Sequence, residues 1–332
     1  MTETLFLTSD DVSGLATPAD YVDRVADGYR QRSDGAPADP RTALFADDPT
    51  GMLTSYTAIL PEDGYMGGYT YSAGFGAGDA WFMTPLFDAD SGEPLALLDG
   101  ASMNPFKTGA TGAVGVDMLA RENATRVGVI GSGAQARGQL RATATVRELT
   151  AVEVYSPTAA NREAFAEEMT ETLGVDVTAV ESSTAAVADA DIVITATSAS
   201  DPVFDGDQLA PGTHVTAMGQ YNPNKRELDT TTIERSTYVP DLRDRATQDA
   251  GSFLHAIDAG VIDESHIHAE LGDIVADNAV GRTSDEEITV FDSGGTAIET
   301  VAAAGMLYER AREQGLGSTI EFAPASDALT GK

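Results

Sequence analysis

The chain has 332 residues, with 20 Lys and Arg against 53 Asp and Glu, for a formal net charge of −33. So strong a polyanion is expected to bind neither nucleic acid nor an anionic membrane, and a hydrophobic content of 42% argues against a disordered acidic chain. Cysteine is absent, which excludes disulfides, thiolate chemistry and cysteine-ligated metals.

Lysine occurs only at positions 107, 225 and 332, and arginine supplies the other basic residues. A strongly hydrated acidic surface suits a salt-rich interior, so a halophilic, cytoplasmic setting is expected. Residues Met1-Thr-Glu-Thr-Leu-Phe-Leu7 offer no basic segment before an apolar core, so no secretory signal is read. No apolar run approaches the ~20 residues of a membrane span.

In chain order, residues 21–30 read as a helix. Residues 51–71 and 80–98 are strand-like runs broken by the turns Pro61-Glu-Asp-Gly64 and Asp88-Ala-Asp-Ser-Gly92. This first region is expected to be mostly antiparallel and to carry the substrate site and a subunit interface. A helix over 108–121 then opens an alternation of strands and helices. Strands are expected at 127–130, 152–155, 175–180, 191–196, 214–218, 237–239 and 288–291, with helices between them at 134–148, 159–173 and 184–188. That alternation predicts an α/β fold with a doubly wound parallel sheet. A helix over 297–314 and a strand over 318–323 rejoin the first region. The expected domains are therefore a discontinuous mixed α+β substrate and dimerisation domain, 1–117 with 296–332, and a Rossmann domain, 118–295.

The most informative segment is Arg126-Val-Gly-Val-Ile-Gly-Ser-Gly-Ala-Gln-Ala136. A short apolar run ends in Gly131-x-Gly133-x-x-Ala136 and passes at once into a helix, the order of the dinucleotide-binding fingerprint. Gly131, Ser132, Gly133, Ala134 and Gln135 are expected to cradle a pyrophosphate at the helix N-terminus. Ser156 ends the next strand where NAD-preferring domains usually place a carboxylate. A serine there leaves room for a 2′-phosphate, with Thr158 and Arg162 beside it, so NADP is the preferred cofactor and NAD the other possibility. The competing reading of Ser156 is a cap for the helix beginning near Ala159. Thr197, past the 191–196 strand, and Ser293 and Gly294, past the last strand, are expected to line the cofactor site, the latter two at its nicotinamide end. His255, His266 and His268 lack metal-ligand spacing, and no metal site is read.

Asn104-Pro-Phe-Lys-Thr-Gly-Ala-Thr-Gly-Ala-Val-Gly-Val-Asp-Met-Leu-Ala-Arg121 runs directly into that turn. Together they resemble the ornithine cyclodeaminase/mu-crystallin family, which includes archaeal alanine dehydrogenases and ketimine reductases. Further blocks agree in order: Ala190-Asp-Ile-Val-Ile-Thr-Ala-Thr197, Pro211-Gly-Thr-His214, Arg226-Glu-Leu-Asp229, Glu270-Leu-Gly272, Gly281-Arg282 and Ile288-Thr-Val-Phe-Asp-Ser-Gly294. The resemblance covers about residues 41–317. It implies a homodimer acting on small amino or imino acids with a nicotinamide cofactor. It also implies that Arg41 and Lys107 hold the substrate carboxylate.

Two departures narrow the chemistry. Tyr69 stands where the family places its carboxylate-binding lysine, and no lysine precedes Lys107, which itself takes the place of a family arginine. Cyclodeaminases carry a catalytic aspartate in the loop matched by Gly219-Gln-Tyr-Asn-Pro-Asn-Lys225, where this chain has Tyr221. Cyclisation with ammonia loss thereby loses its carboxylate, while simple hydride transfer survives. The expectation is an NAD(P)-dependent oxidoreductase acting at Cα of a small imino, keto or amino acid, with Lys107, Tyr69 and Tyr221 as catalytic candidates. Two alternatives stay open: an ornithine cyclodeaminase with a substitute acid, and a non-enzymatic NADP-dependent small-molecule binder.

Overall fold

The computed structural model describes residues 2–76 and 79–330. It divides into two units, residues 1–104 with 296–332 and residues 105–295.

In the first unit, β1 (Thr2–Leu7), β2 (Thr42–Asp47), β3 (Thr50–Leu60), β4 (Tyr65–Gly74), β5 (Ala80–Asp88) and β6 (Pro94–Asp99) join the C-terminal strand Ser318–Phe322 in one sheet. The order is C-terminal strand, β1, β6, β5, β4, β3, β2, antiparallel except where β1 lies beside β6. The turn between β5 and β6 forms because Asp88 accepts the N–H groups of Asp90 and Ser91 at 3.0 and 2.7 Å. Two helices cover this unit. Thr17 and Asp20 form a capping box for Pro18–Ser33, with Pro18 in the first turn. Thr296 and Glu299 form another for Ala297–Gln314, which ends on the left-handed Gly315. The two helices meet where Gly28 faces Ile298 and Ala302, and the Tyr29 hydroxyl donates to Glu299 at 3.3 Å.

In the second unit, β7 (Arg126–Ile130), β8 (Ala151–Tyr155), β9 (Val177–Ala179), β10 (Ile192–Thr195), β11 (His214–Ala217), β12 (Ser236–Pro240) and β13 (Ile288–Asp292) form a wholly parallel sheet. Its order is β12, β13, β11, β10, β7, β8, β9. Strand order reverses between β7 and β10, which creates a switch point at their carboxyl ends. Helices such as Ala134–Val146 and Ala159–Leu173 make the crossovers. Val127, Val129, Ile192 and Ile194 join Leu140, Phe165 and Met169 in one buried cluster. Burial of both faces explains why these strands read as unbroken apolar runs.

One expectation needs correction. The helix Asn104–Leu119 lies within the second unit almost entirely, so the first seam falls at 104/105 and not at 117/118. The cause is close backbone packing. A β-carbon on Gly109 would overlap the backbone of Gly138, and one on Gly138 would overlap the carbonyl of Pro105. Gln139 seals the contact by donating to the Thr108 carbonyl at 2.9 Å. Sequence reading also missed β1, β2 and the helices Arg243–Asp249, Gly251–Asp258 and Leu271–Val275. Among the described residues, no helix is long and apolar enough to cross a membrane.

Candidate active site

The dinucleotide turn occupies the switch point. Gly131 follows β7 with φ of 121°, a conformation open to glycine, and a β-carbon there would overlap the carbonyl oxygen of Ala196 beyond β10. Gly133 caps the helix Ala134–Val146 and offers no side-chain acceptor to its first N–H groups. A β-carbon on Gly133 would meet nothing within 4 Å. Open space beside Gly133, at a helix N-terminus without a side-chain cap, fits a pyrophosphate.

Ser132 and Ser156 meet at the β8 side of this turn, the Ser132 hydroxyl donating to Ser156 Oγ at 2.9 Å. Ser156 is therefore not the cap of Ala159–Leu173; that position belongs to Thr158, whose side chain makes no capping bond. Arg162 is buried and already engaged. Its Nη1 donates to the Ser156 carbonyl at 3.1 Å and its Nη2 to Glu181 at 3.1 Å, so it braces the turn after β8. A cation that sequence reasoning overlooked, Arg137, donates to the Ser132 carbonyl and pairs with Glu168 at 2.7 Å.

At the β10 and β11 ends stands Glu227, 1% exposed, which received no role from sequence. Its carboxylate accepts from Thr197 N at 2.7 Å, Gly219 N at 2.7 Å and Thr195 Oγ1 at 2.9 Å. Burial pushes its pKa up while these donors pull it down, with burial the larger effect.

The loop after β13 rests on a buried ionic cluster. Arg245 donates to Asp241 at 2.7 Å, to the Asp292 carboxylate at 2.7 Å and to the Asp292 carbonyl at 2.8 Å. Tyr238 donates to the other Asp292 oxygen at 2.8 Å. Asp241 also accepts the Gly295 N–H at 2.9 Å. Gly294 lies against Arg245, whose Cδ, Cζ and Nε would each be 2.7 Å from an added β-carbon. Ser293 is 2% exposed and donates its N–H to the Ala217 carbonyl at 2.8 Å. The i, i+4 spacing of Asp241, Arg245 and Asp249 was a visible signal that sequence reading passed over.

The remaining candidates divide between the units. In the first unit, Arg41 is 6% exposed with its guanidinium 5.5 Å from the Tyr56 ring centre. Tyr56 meets Tyr69 edge to face at 5.7 Å, and Tyr71 and Phe82 complete an aromatic cluster. The Tyr69 hydroxyl donates to the Gly100 carbonyl at 3.3 Å. Burial holds its pKa well above the ordinary tyrosine value, so it stays a neutral phenol. In the second unit, Lys107 is 2% exposed near the start of Asn104–Leu119. Tyr221 is exposed on the loop after β11, where Lys225 N donates to the Asn222 carbonyl at 2.9 Å. His266 and His268 bond through Nε2 to the carbonyls of Ile233 and Val280.

Comparison with known proteins extends this geometry. Residues 2–315 match the ornithine cyclodeaminase/mu-crystallin family. A Δ1-pyrroline-2-carboxylate reductase from Bacillus cereus is 39% identical over 238 residues, 71% of this chain and 73% of the relative. The structure of the Thermococcus litoralis Δ1-pyrroline-2-carboxylate reductase with NADH and L-proline has a TM-score of 0.92 at 33% identity, covering 96% of this chain and all of that one (100%). An archaeal alanine dehydrogenase dimer with bound NAD has a TM-score of 0.91 at 31% identity, covering 97% and 100% of the two chains.

Proposed function

The chain belongs to the ornithine cyclodeaminase/mu-crystallin family, and from that premise we propose that it is a nicotinamide-dependent oxidoreductase acting at the C=N bond of a small imino acid or the CH–NH2 bond of the matching amino acid. The observation that carries this reading is the switch-point cradle of Gly131 and Gly133 in a chain whose 219–225 loop holds no carboxylate. Two of the similar proteins are Δ1-pyrroline-2-carboxylate reductases, which makes that cyclic imino acid the first substrate to test.

When bound, the nicotinamide supplies or accepts the hydride. The chain contributes binding and orientation. Gly131, Ser132, Gly133, Ala134 and Gln135 hold the pyrophosphate, and Thr197, Ser293 and Gly294 line the nicotinamide end. The β8 end, Tyr155-Ser-Pro-Thr158, carries no carboxylate to repel a 2′-phosphate, which supports NADPH over NADH. Lys107 and Arg41 are assigned to the substrate carboxylate. Tyr69 and Tyr221 are the two candidate proton donors.

A homodimer formed through the first unit accords with its exposed apolar row. Leu44 pairs with Leu53, Leu53 with Ser72 and Ser72 with Trp81 across four strands. Leu44 and Trp81 are 66% and 69% exposed, a patch that suits a partner surface. The acidic composition supports a salt-rich cytoplasm as the setting.

Turnover of NADPH and NADH against cyclic and linear imino acids in high salt tests the reading. Lys107→Ala should cost about 2–5 kcal/mol in kcat/KM, because a desolvated carboxylate loses a charged partner. Lys107→Arg, which restores the residue the family usually carries there, should retain most activity. Turnover unaffected by Lys107→Ala would remove that residue from the site.

A further inference from the structure

The Arg226-Glu-Leu-Asp229 block has no role in the cofactor or substrate assignments above. Its two carboxylates do different work. Asp229 is local: it caps the helix Thr230–Glu234 by accepting from Thr232 N at 2.8 Å and also accepts from Gly206 N at 2.9 Å. Glu227 reaches further, to groups on two separate strand ends.

One carboxylate oxygen of Glu227 takes Thr197 N; the other takes Gly219 N and Thr195 Oγ1. Thr195 ends β10, and Gly219 lies just past β11. Gln220 adds a cross-link between the same two loops, donating to the Thr197 carbonyl at 3.2 Å. The donors to the carboxylate, from Thr195, Thr197 and Gly219, are neutral, and Glu227 has no ion-pair partner among the described residues. A buried carboxylate without a cation is costly to keep unless its hydrogen bonds are complete. The fit is tight as well: a β-carbon on Gly219 would overlap both Glu227 and the Thr197 carbonyl.

The place of this clamp gives it meaning. The pyrophosphate cradle lies where β7 meets β10, and the Ser156 edge on the β8 side is where a Rossmann domain reads the adenosine ribose. The β10 and β11 ends are left for the other half of the dinucleotide. We propose that Glu227 is a positioning residue for the nicotinamide half of the cofactor, fixing the loops after β10 and β11 at one spacing so that they form a ready-made wall. This rests on the nicotinamide-cofactor reading above.

The test compares two ligands by calorimetric titration: NADPH, and 2′-phospho-ADP-ribose, which keeps the adenosine half and pyrophosphate but lacks nicotinamide. Glu227→Gln places an amide N–H2 against a backbone N–H and releases one loop. Gly219→Ala keeps the carboxylate but displaces it. Both variants should weaken NADPH binding by about ten-fold or more, a change of about 1.4 kcal/mol, while binding of 2′-phospho-ADP-ribose changes by less than about two-fold. Equal losses for both ligands, no loss for either, or failure of both variants to fold would overturn the proposal and assign Glu227 to general structure. A wild-type protein that binds neither ligand nor NADH would instead overturn the cofactor reading.

Discussion

Gly131 faces the carbonyl oxygen of Ala196 across the gap between β7 and β10, with no room for a β-carbon. Gly131→Ala adds both that overlap and strain at a φ of 121°, so it should cost about 1–3 kcal/mol of stability along with cofactor affinity. Gly133→Ala separates the two effects, since Gly133 has an ordinary φ of −84° and open space at its Cβ position. Its melting temperature should stay near that of the wild type while NADPH binding weakens about ten-fold or more. Fluorescence titration with a parallel thermal melt checks both; unchanged affinity in Gly133→Ala would remove this turn from the cofactor site.

Arg245 is the cation of a buried cluster with Asp241, Asp249 and Asp292. Arg245→Met leaves those carboxylates without it and should destabilise the protein by about 3–5 kcal/mol. Urea unfolding measures this, and a loss below about 1 kcal/mol would mean that the carboxylates relax to solvent or protonate at little cost.

The legibility of the sequence followed the range of the interactions. The helices 159–173 and 297–314 and the strand near 288–291 were readable because apolar runs, caps and glycine stops are local signals. The seam at 104/105 was not placed, although Gly109, Gly112 and Gly115 mark a flat face, which receives the Gly138 backbone and the Gln139 and Phe291 side chains. β2 gave little signal because Leu44 and Phe45 are adjacent and both exposed, which breaks the alternation of a half-buried strand. The long-range partners of Glu227 and Arg245 were invisible for another reason. Thr195 and Asp292 stand 32 and 47 residues away, and only the parallel sheet brings them close.

His214 sets a pH dependence. It is fully buried in β11 between Thr289 and Thr216, at 2.9 and 3.0 Å, and burial lowers its pKa from 6.5 to about 3. Between those values the unfolded chain binds a proton that the folded chain refuses, so this contribution to stability is present above pH 6.5 and is lost as pH falls toward 3. Unfolding free energies between these limits should therefore fall more steeply for the wild type than for His214→Gln, by up to about 1.4 kcal/mol per pH unit. Parallel slopes would show that His214 already binds its proton when folded.

The apolar row on the first unit gives a prediction about assembly. Trp81→Glu, placed on that exposed sheet face, should convert a dimer to monomers in light scattering while leaving the melting transition of the monomer cooperative. A variant of unchanged molecular mass would move the interface elsewhere.

The most direct test of the central claim follows NADPH oxidation and product together in the wild-type protein at high salt. With Δ1-pyrroline-2-carboxylate, NADPH should be lost in step with the appearance of proline, and with L-ornithine neither proline nor ammonia should form. Proline and ammonia from ornithine, at a rate equal to or above any imine reduction, would contradict that claim.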